Sequence, residues 1–203
     1  NNSTGWRFCD GAFEPVSPSA DTWYDATFIH GYADNIGWGF NLKFNSWTIA
    51  YTNGIAIGPW CDSSGTVTLG AGGLSMAAGQ SFDFGNGAAW ATRQRVTLAE
   101  SQTWQGPATG ARGRFVIGTS RYTGDYYNST IGASKALTWT LQGLIGVYLA
   151  GPNDLSDVDV VVNGDAVLGL VKRQPGSAGT YDTDVRLHAK SLTLDGATLQ
   201  LGK

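Results

Sequence analysis

Short apolar strands separated by glycine-rich corners fill residues 66–106, and this texture limits the folds open to the chain. Residues 67–69 and 96–98 each predict a strand, because Val and Leu alternate with Thr along an extended backbone. The Gly-Ala-Gly-Gly run at 70–73 predicts a tight corner, and a further strand is expected at 74–76. Such a pattern is typical of a chain that winds and stacks short strands on itself.

Strands of the same character continue to the last residues. Asn163-Gly164 and Asp195-Gly196 predict turns between them. No segment has the periodicity of an amphipathic helix, so the fold class is predicted to be all-β. Equivalent strands are expected roughly 20–25 residues apart, as in a solenoid. The candidate strands are 82–84, 102–104, 115–117, 137–141, 147–149, 158–162, 167–171, 185–187, 192–194 and 198–201.

Two stretches resemble a known family. The order T-L-G-x-G-G-L-x-M, followed by V-x-L-x-x-x-Q-T-W, is similar to the repeat of bacterial autotransporter-associated β-strand proteins, as is the closing SLTLDGATLQL. The resemblance implies a right-handed parallel β-helix that is secreted or displayed on a cell surface. We expect either a passenger fragment or a free secreted relative. An antiparallel β-sandwich or jelly roll is the alternative fold, because it also contains evenly spaced short strands.

Residues 1–64 differ in composition from residues 65–203, which we assign to the solenoid. Aromatic residues crowd this first segment, and Asn53-Gly54 predicts a hairpin turn. A solenoid needs an atypical terminal unit that covers its open end, so we interpret residues 1–64 as an N-terminal cap. Cys9 and Cys61 are predicted to form a disulfide that closes the cap, since an even cysteine count in a chain of secreted character favours pairing.

The composition is typical of an extracellular protein, and it argues against nucleic-acid binding and membrane insertion. Charged residues make up 14% of the chain, against about 25% in typical soluble domains. The net charge is −3, and basic residues are scattered, so no nucleic-acid partner is expected. No apolar run reaches the roughly 20 residues that span a bilayer, so no membrane insertion is expected.

Residues 105–135 and 172–184 are longer than solenoid corners require. Insertions in solenoids form loops, and such loops often bind partners. Tyrosine rings can stack on sugars, and arginine recognises carboxylate or sulfate with two hydrogen bonds. The alternative is that these side chains pack the loops onto the strands. The candidate ligand-binding residues are Arg112, Arg114, Arg121, Tyr122, Asp125, Tyr126, Tyr127 and Tyr181.

Carboxylates are the only catalytic candidates. Asp157 and Asp159 are two residues apart, so they share one face of a strand and could act as an acid/base pair or bind calcium. Asp154 and Asp165 extend this group. The alternative is a solvated strand face with aspartates that cap turns. Histidine and cysteine spacings match no zinc motif, so neither a metal nor another cofactor is expected.

These patterns favour a protein without catalytic activity. The leading hypothesis is a secreted or cell-surface adhesin or passenger domain that binds glycan or host surface material, or forms a rigid stalk. The first alternative is a lyase or glycosidase built on a β-helix. The second is a structural subunit that stacks end to end in an extracellular fibre.

Overall fold

The structure is a computed structural model that describes residues 19–28, 36–37, 41–50, 59–60, 66–84, 95–117, 130–149, 152–170 and 186–202. Within these ranges all the regular secondary structure is β-strand, which confirms the all-β class. The strands are β1 (Trp23–Phe28), β2 (Ile36–Gly37), β3 (Leu42–Ile49), β4 (Pro59–Trp60), β5 (Thr66–Met76), β6 (Ser81–Phe84), β7 (Arg95–Leu98), β8 (Gln102–Gln105), β9 (Gly113–Ile117), β10 (Thr130–Ala133), β11 (Leu137–Gln142), β12 (Ile145–Leu149), β13 (Pro152–Asn163), β14 (Val167–Leu170), β15 (Arg186–Asp195) and β16 (Thr198–Leu201).

A large sheet of nine strands contains seven successive passages of the chain: β1, β3, β5, β7 with β8, β10 with β11, β13, and β15. Each passage is hydrogen-bonded to the next one, and every pair is parallel. β5 and β13 are long enough to pair with two shorter strands each. A passage therefore has two arms joined at a bend, and residues 99–101 and 134–136 form two of these bends.

A smaller sheet has five strands in chain order, namely β6, β9, β12, β14 and β16, and these pairs are also parallel. β2 and β4 form a separate parallel pair. After each passage from β5 onward the chain crosses the smaller sheet and then returns to the large sheet beside its previous strand. Parallel neighbours need a long crossover of this kind, which is usually a helix but is a strand here.

The parallel pairing argues against the alternative fold. An antiparallel sandwich or jelly roll is joined by hairpins and Greek keys, whereas all fourteen strand pairs among the described residues are parallel. The spacing between paired residues is less regular than predicted. It ranges from 20 residues for Trp23 and Lys43 to 37 for Gln105 and Gln142, because the connecting segments differ in length.

Aromatic side chains join the two sheets across the core. Trp47, Trp104 and Trp139 of the large sheet are fully buried, as are Phe82 and Phe115 of the smaller sheet. The ring of Trp47 lies 5.0 Å from that of Phe82, and Trp104 lies 5.0 Å from Phe115 and 4.9 Å from Trp139. Tilted and edge-on contacts at these distances are favourable for aromatic pairs. Aliphatic side chains on alternate strand positions fill the rest of the core.

One buried glutamine satisfies polar groups inside this core. Gln102 points inward and accepts a hydrogen bond from the indole Nε1 of Trp104 at 3.0 Å. Its own amide Nε2 donates to the carbonyl of Leu69, one passage earlier, at 3.1 Å. A buried amide without partners would be costly. Gln102 therefore links two neighbouring passages. It also supplies an acceptor for the buried indole N–H of Trp104, which would otherwise destabilise the fold.

The glycine corner predicted at 70–73 lies inside a single strand. The two strands predicted on either side of it are the two arms of β5, and the register against β3 shifts between Phe44 and Ser46. Gly73 adopts φ +63°, and a Cβ at this position would collide with the backbone carbonyl of Thr103 in β8. Glycine is required because only a residue without a side chain allows β8 to approach this closely.

The segment predicted to be a cap contributes strands to the large sheet. β1 and β3 lie within residues 1–64, and β3 pairs in parallel with β5. Cys9 and Cys61, with their predicted disulfide, lie outside the described residues, as does Asn53-Gly54. The turns predicted at Asn163-Gly164 and Asp195-Gly196 are confirmed, since Gly164 and Gly196 have φ values of +57° and +66°.

Candidate functional site

The outward side chains of the large sheet form polar rows that run from passage to passage. Ser75 donates a hydrogen bond to Thr48 at 3.1 Å, and Gln142 donates to Gln105 at 2.6 Å. Register pairing places Ser75 beside Gln105, so the four residues belong to one row. Two of the three neighbouring pairs in the row are hydrogen-bonded, as cross-strand pairs often are. The row therefore supports the stacking and presents polar side chains on the outer face of the sheet.

A second feature is a column of charges along the bends of the large sheet. Lys135 and Glu100 occupy the bends of neighbouring passages, and Lys135 Nζ lies 2.7 Å from Glu100 Oε1. Two passages further on, Lys190 Nζ lies 2.8 Å from Asp159 Oδ2. Acidic and basic side chains therefore alternate from Glu100 to Lys190. All four are at the surface, where an ion pair contributes little to stability, about 0–1 kcal/mol.

The predicted aspartates lie on this column. Asp157 and Asp159 face outward on either side of the buried Val158, as the two-residue spacing predicted. The hydrogen bond from Lys190, followed by that from Ser191 at 2.6 Å, lowers the pKa of Asp159. The same Asp159 contact is the main cause of the raised pKa of Lys190. Asp159 is thus held as a carboxylate bound to two donors.

Asp154 belongs to a neighbouring group of charged side chains. Its Oδ1 accepts a hydrogen bond from the backbone N–H of Ser156 at 3.1 Å, and this contact is the main cause of its lowered pKa. His188 Nδ1 lies 3.4 Å from the same oxygen. Arg95 also lowers the pKa of Asp154, because its guanidinium reaches across Gly132, where a Cβ would fall 2.7 Å from Nη2. The group spans four passages of the sheet.

These charges bear on the catalytic alternative. Asp157, Asp159 and Lys190 do lie close together, which an acid/base site on a β-helix would require. A general acid, however, needs a raised pKa so that it holds a proton near neutral pH. The pKa values of Asp154 and Asp159 are both lowered, and both side chains are solvent-accessible. The arrangement is better suited to joining passages than to donating protons.

Two of the predicted ligand-binding arginines contact segments that are distant in the sequence: Arg114 reaches the neighbouring strands β6 and β12, whereas Arg112 reaches the segment after β13, two passages further on. Arg112 Nη2 donates to the carbonyl of Asp165 at 2.9 Å, although the residues are 53 positions apart. Arg114 lies over the ring of Tyr148, 5.6 Å from its centroid, and donates to Ser81 Oγ at 3.3 Å. A cation above a tyrosine ring at the surface contributes about 0.5–1 kcal/mol. Both arginines therefore help to hold residues 107–114 against the strands.

The other six predicted ligand-binding residues belong to the segments 118–129 and 171–185 of the sequence. Arg121, Tyr122, Asp125, Tyr126, Tyr127 and Tyr181 lie outside the described residues. Within the segment 105–135 the structure describes residues 105–117 and 130–135, which contain β9 and β10. The predicted insertion therefore also supplies two strands to the sheets. In the described ranges, no three His, Cys, Asp or Glu side chains lie close enough to hold a metal ion. The same ranges contain no helix long and apolar enough to cross a membrane.

Sequence reasoning missed several members of the charge column. Glu100, Lys135 and Lys190 are far from their partners in the sequence, and only the stacking of passages brings them together. The same is true of Arg95 in the Asp154 group. A usable signal was that Glu100 stands between two short predicted strands, 96–98 and 102–104, whereas Lys135 was assigned to the predicted insertion and strand β10 before it was not predicted. No protein-family model, curated protein or solved structure matches the chain.

Proposed function

We propose that the chain is a secreted or cell-surface β-solenoid of the passenger type. In this proposal a rigid right-handed parallel β-helix displays loops that contact glycan or host surface material. The similarity of residues 66–106 to autotransporter repeats and the low charge content support this assignment. A disulfide between Cys9 and Cys61 would suit the same oxidising environment.

The repeated return of the chain to the same sheet supports the helical winding. From the passage of β7 and β8 onward, each passage pairs in parallel with the previous one after a crossover through the smaller sheet. Crossovers between parallel strands of one sheet are right-handed in about 98% of cases, which favours a right-handed coil. Seven passages at a strand spacing of about 4.8 Å would extend for about 29 Å.

The observation that carries the adhesin proposal is that the two strands flanking residues 118–129 in the sequence are each paired with a strand on both sides. β9, which precedes them, lies between β6 and β12, and β10, which follows them, lies between β7 and β13. Residues 171–185 have a similar position between β14 and β15. Binding residues are commonly located on loops that a rigid scaffold positions. The three tyrosines and the single arginine of residues 118–129 are therefore the proposed contact residues.

A glycan array on the purified 203-residue chain tests this function. Mucin-type, sulfated and plant polysaccharides cover the chemistries that tyrosine and arginine recognise. Tyr126→Ala with Tyr127→Ala should reduce binding at least tenfold, whereas the control Thr103→Ala with Thr140→Ala, on an outward row of the sheet, should not. No binding by a folded wild-type sample would refute the adhesin role. Equal loss in both double mutants would move the contact to the sheet face.

A structural role in an extracellular assembly is the second candidate. Leu192, Leu194 and Leu201 of the last passage are 38%, 43% and 69% exposed. Exposed apolar side chains beside a strand edge usually mark an interaction surface or an aggregation risk. This feature favours association through the end of the fold where β15 is the last described strand of the large sheet and β16 that of the smaller sheet.

A further inference from the structure

In the described part of the chain, β15 and β16 are the last strands of the two sheets, and each is paired on one side. Among the described residues, β15 pairs only with β13, and β16 pairs only with β14. Leu192 and Leu194 of β15 pair with Val160 and Val162, which are fully buried one passage earlier. The leucines occupy the same inward rows but are 38% and 43% exposed, and no described strand pairs with the other edge of β15. An edge of this kind provides both backbone hydrogen-bonding groups and apolar side chains.

The sequence of β15 is self-complementary about its bend. Lys190 and Ser191 form the bend, and an arm of four residues lies on each side, at 186–189 and 192–195. In an antiparallel pair of two β15 strands centred between residues 190 and 191, residue i of one copy faces residue 381 − i of the other. Leu187 then faces Leu194, and Ala189 faces Leu192, so inward side chains meet inward side chains.

The charges of β15 follow the same symmetry. Arg186 is at the first position of the strand and Asp195 at the last, and both are exposed. The antiparallel register places each Arg186 opposite Asp195 of the other copy, and opposite charges across a strand pair are stabilising. Arg186 also has an interaction within its own chain, but a guanidinium has five N–H donors and can serve two partners. A parallel, head-to-tail contact would not create these two ion pairs.

We propose that the partner of this edge is a second copy of the chain, docked tail to tail through antiparallel pairing of the two β15 strands across a two-fold axis at the Lys190–Ser191 bend. The interface is isologous, so association stops at the dimer. It covers Leu192 and Leu194 of both copies and joins two large sheets into one continuous sheet. The inference is independent of glycan binding, so either proposal can fail without the other.

Sedimentation velocity on the 203-residue chain between about 1 and 100 μM tests the proposal. The wild type should show a concentration-dependent dimer. Arg186→Glu should weaken it at least tenfold, because a glutamate then faces Asp195 in each of two symmetric positions. Arg186→Glu with Asp195→Arg should restore most of the affinity, since the swap re-forms both pairs. Lys135→Glu makes the same charge change away from the edge and should leave the dimer intact.

Other outcomes would overturn the proposal. A wild type that stays monomeric up to 100 μM would show that the edge is not self-associating. Open-ended oligomers would indicate head-to-tail stacking instead of a closed two-fold dimer. A dimer that Arg186→Glu does not weaken, or that the charge swap does not restore, would place the interface elsewhere. Circular dichroism on each variant identifies any loss of affinity that comes from unfolding.

Discussion

Gly73 is the position where one added methyl group should disturb the large sheet most. Its φ of +63° disfavours any residue with a side chain, and its Cβ would lie well inside van der Waals contact with the Thr103 carbonyl oxygen. That carbonyl belongs to the backbone of β8, so it cannot rotate away as a side chain would. Gly73→Ala therefore requires β8 to move by roughly 1 Å, which would disrupt its pairing with β5.

Substitutions at two other glycines measure separately the backbone strain and the steric clash that act together at Gly73. Gly164 has φ +57° with no atom within 4 Å of a Cβ, so Gly164→Ala carries the backbone cost alone, about 1–2 kcal/mol. At Gly72 no left-handed φ applies, but a Cβ would lie 2.7 Å from Asn45 O and Ser46 Cβ, so Gly72→Ala should cost about 1–3 kcal/mol. Gly73→Ala carries both effects, and we expect a loss of about 3–5 kcal/mol.

Urea and thermal denaturation of the three variants measure these costs. For a chain of this length about 3–5 kcal/mol corresponds to a fall in Tm of roughly 6–20 °C. Gly73→Ala should be the least stable variant and Gly164→Ala the closest to wild type. If Gly73→Ala proves as stable as Gly164→Ala, β8 does not approach β5 at this position, and the register between these strands is wrong.

Two further predictions concern polar groups. Gln102→Met leaves the buried Trp104 indole N–H without its acceptor, so we expect a loss of about 1–3 kcal/mol, of which Trp104→Phe in the same chain should recover part. Trp139, whose buried indole N–H has no acceptor among the described residues, supplies the control, because Trp139→Phe should cost less than Trp104→Phe in a urea titration; equal costs would contradict the role of Gln102. The Lys190–Asp159 pair predicts a pH dependence. Because the folded pKa of Asp159 lies below its ordinary 3.8, its contribution is complete above pH 3.8 and is lost as pH falls through the folded pKa. The raised pKa of Lys190 makes its contribution complete below pH 10.5 and lost only above it. Lys190→Met should therefore lower stability slightly between pH 5 and 9, and the difference from wild type should shrink near pH 2; a difference that persists there would refute the ionic contribution.

Local patterns were sufficient to locate most strands. Strand β11 illustrates this, because Leu137, Trp139 and Leu141 alternate with threonines and all three point into the core. The turn at Gly164 could also be predicted from the sequence, since Asn-Gly favours a positive φ. The bend inside β5 was predicted only in part, because the glycine run at 70–73 indicates a corner but does not show that one strand continues through it.

The charge column lay beyond sequence reasoning. Lys190 and Asp159 are 31 residues apart, and Glu100 and Lys135 are 35 apart, so no local spacing relates them. Asp157 and Asp159 were recognised as sharing a face, since a strand alternates every two residues. Their partners depend on which passages are neighbours and in what register. The bonds that lower the pKa of Asp159 could therefore be found only from the paired strands.

By itself the sequence determined the all-β class, most of the strand positions and the alternation of buried and exposed side chains, because each depends on residues that are close along the chain. The tertiary structure decided that the strands pair in parallel, which arms belong to one passage and which charges meet at the bends. Parallel pairing joins residues such as Val67 and Val96, and then Val96 and Ile131, across connections of unequal length. Only the packing of the common core selects that register, since a shift of one residue would turn every buried side chain of a strand outward.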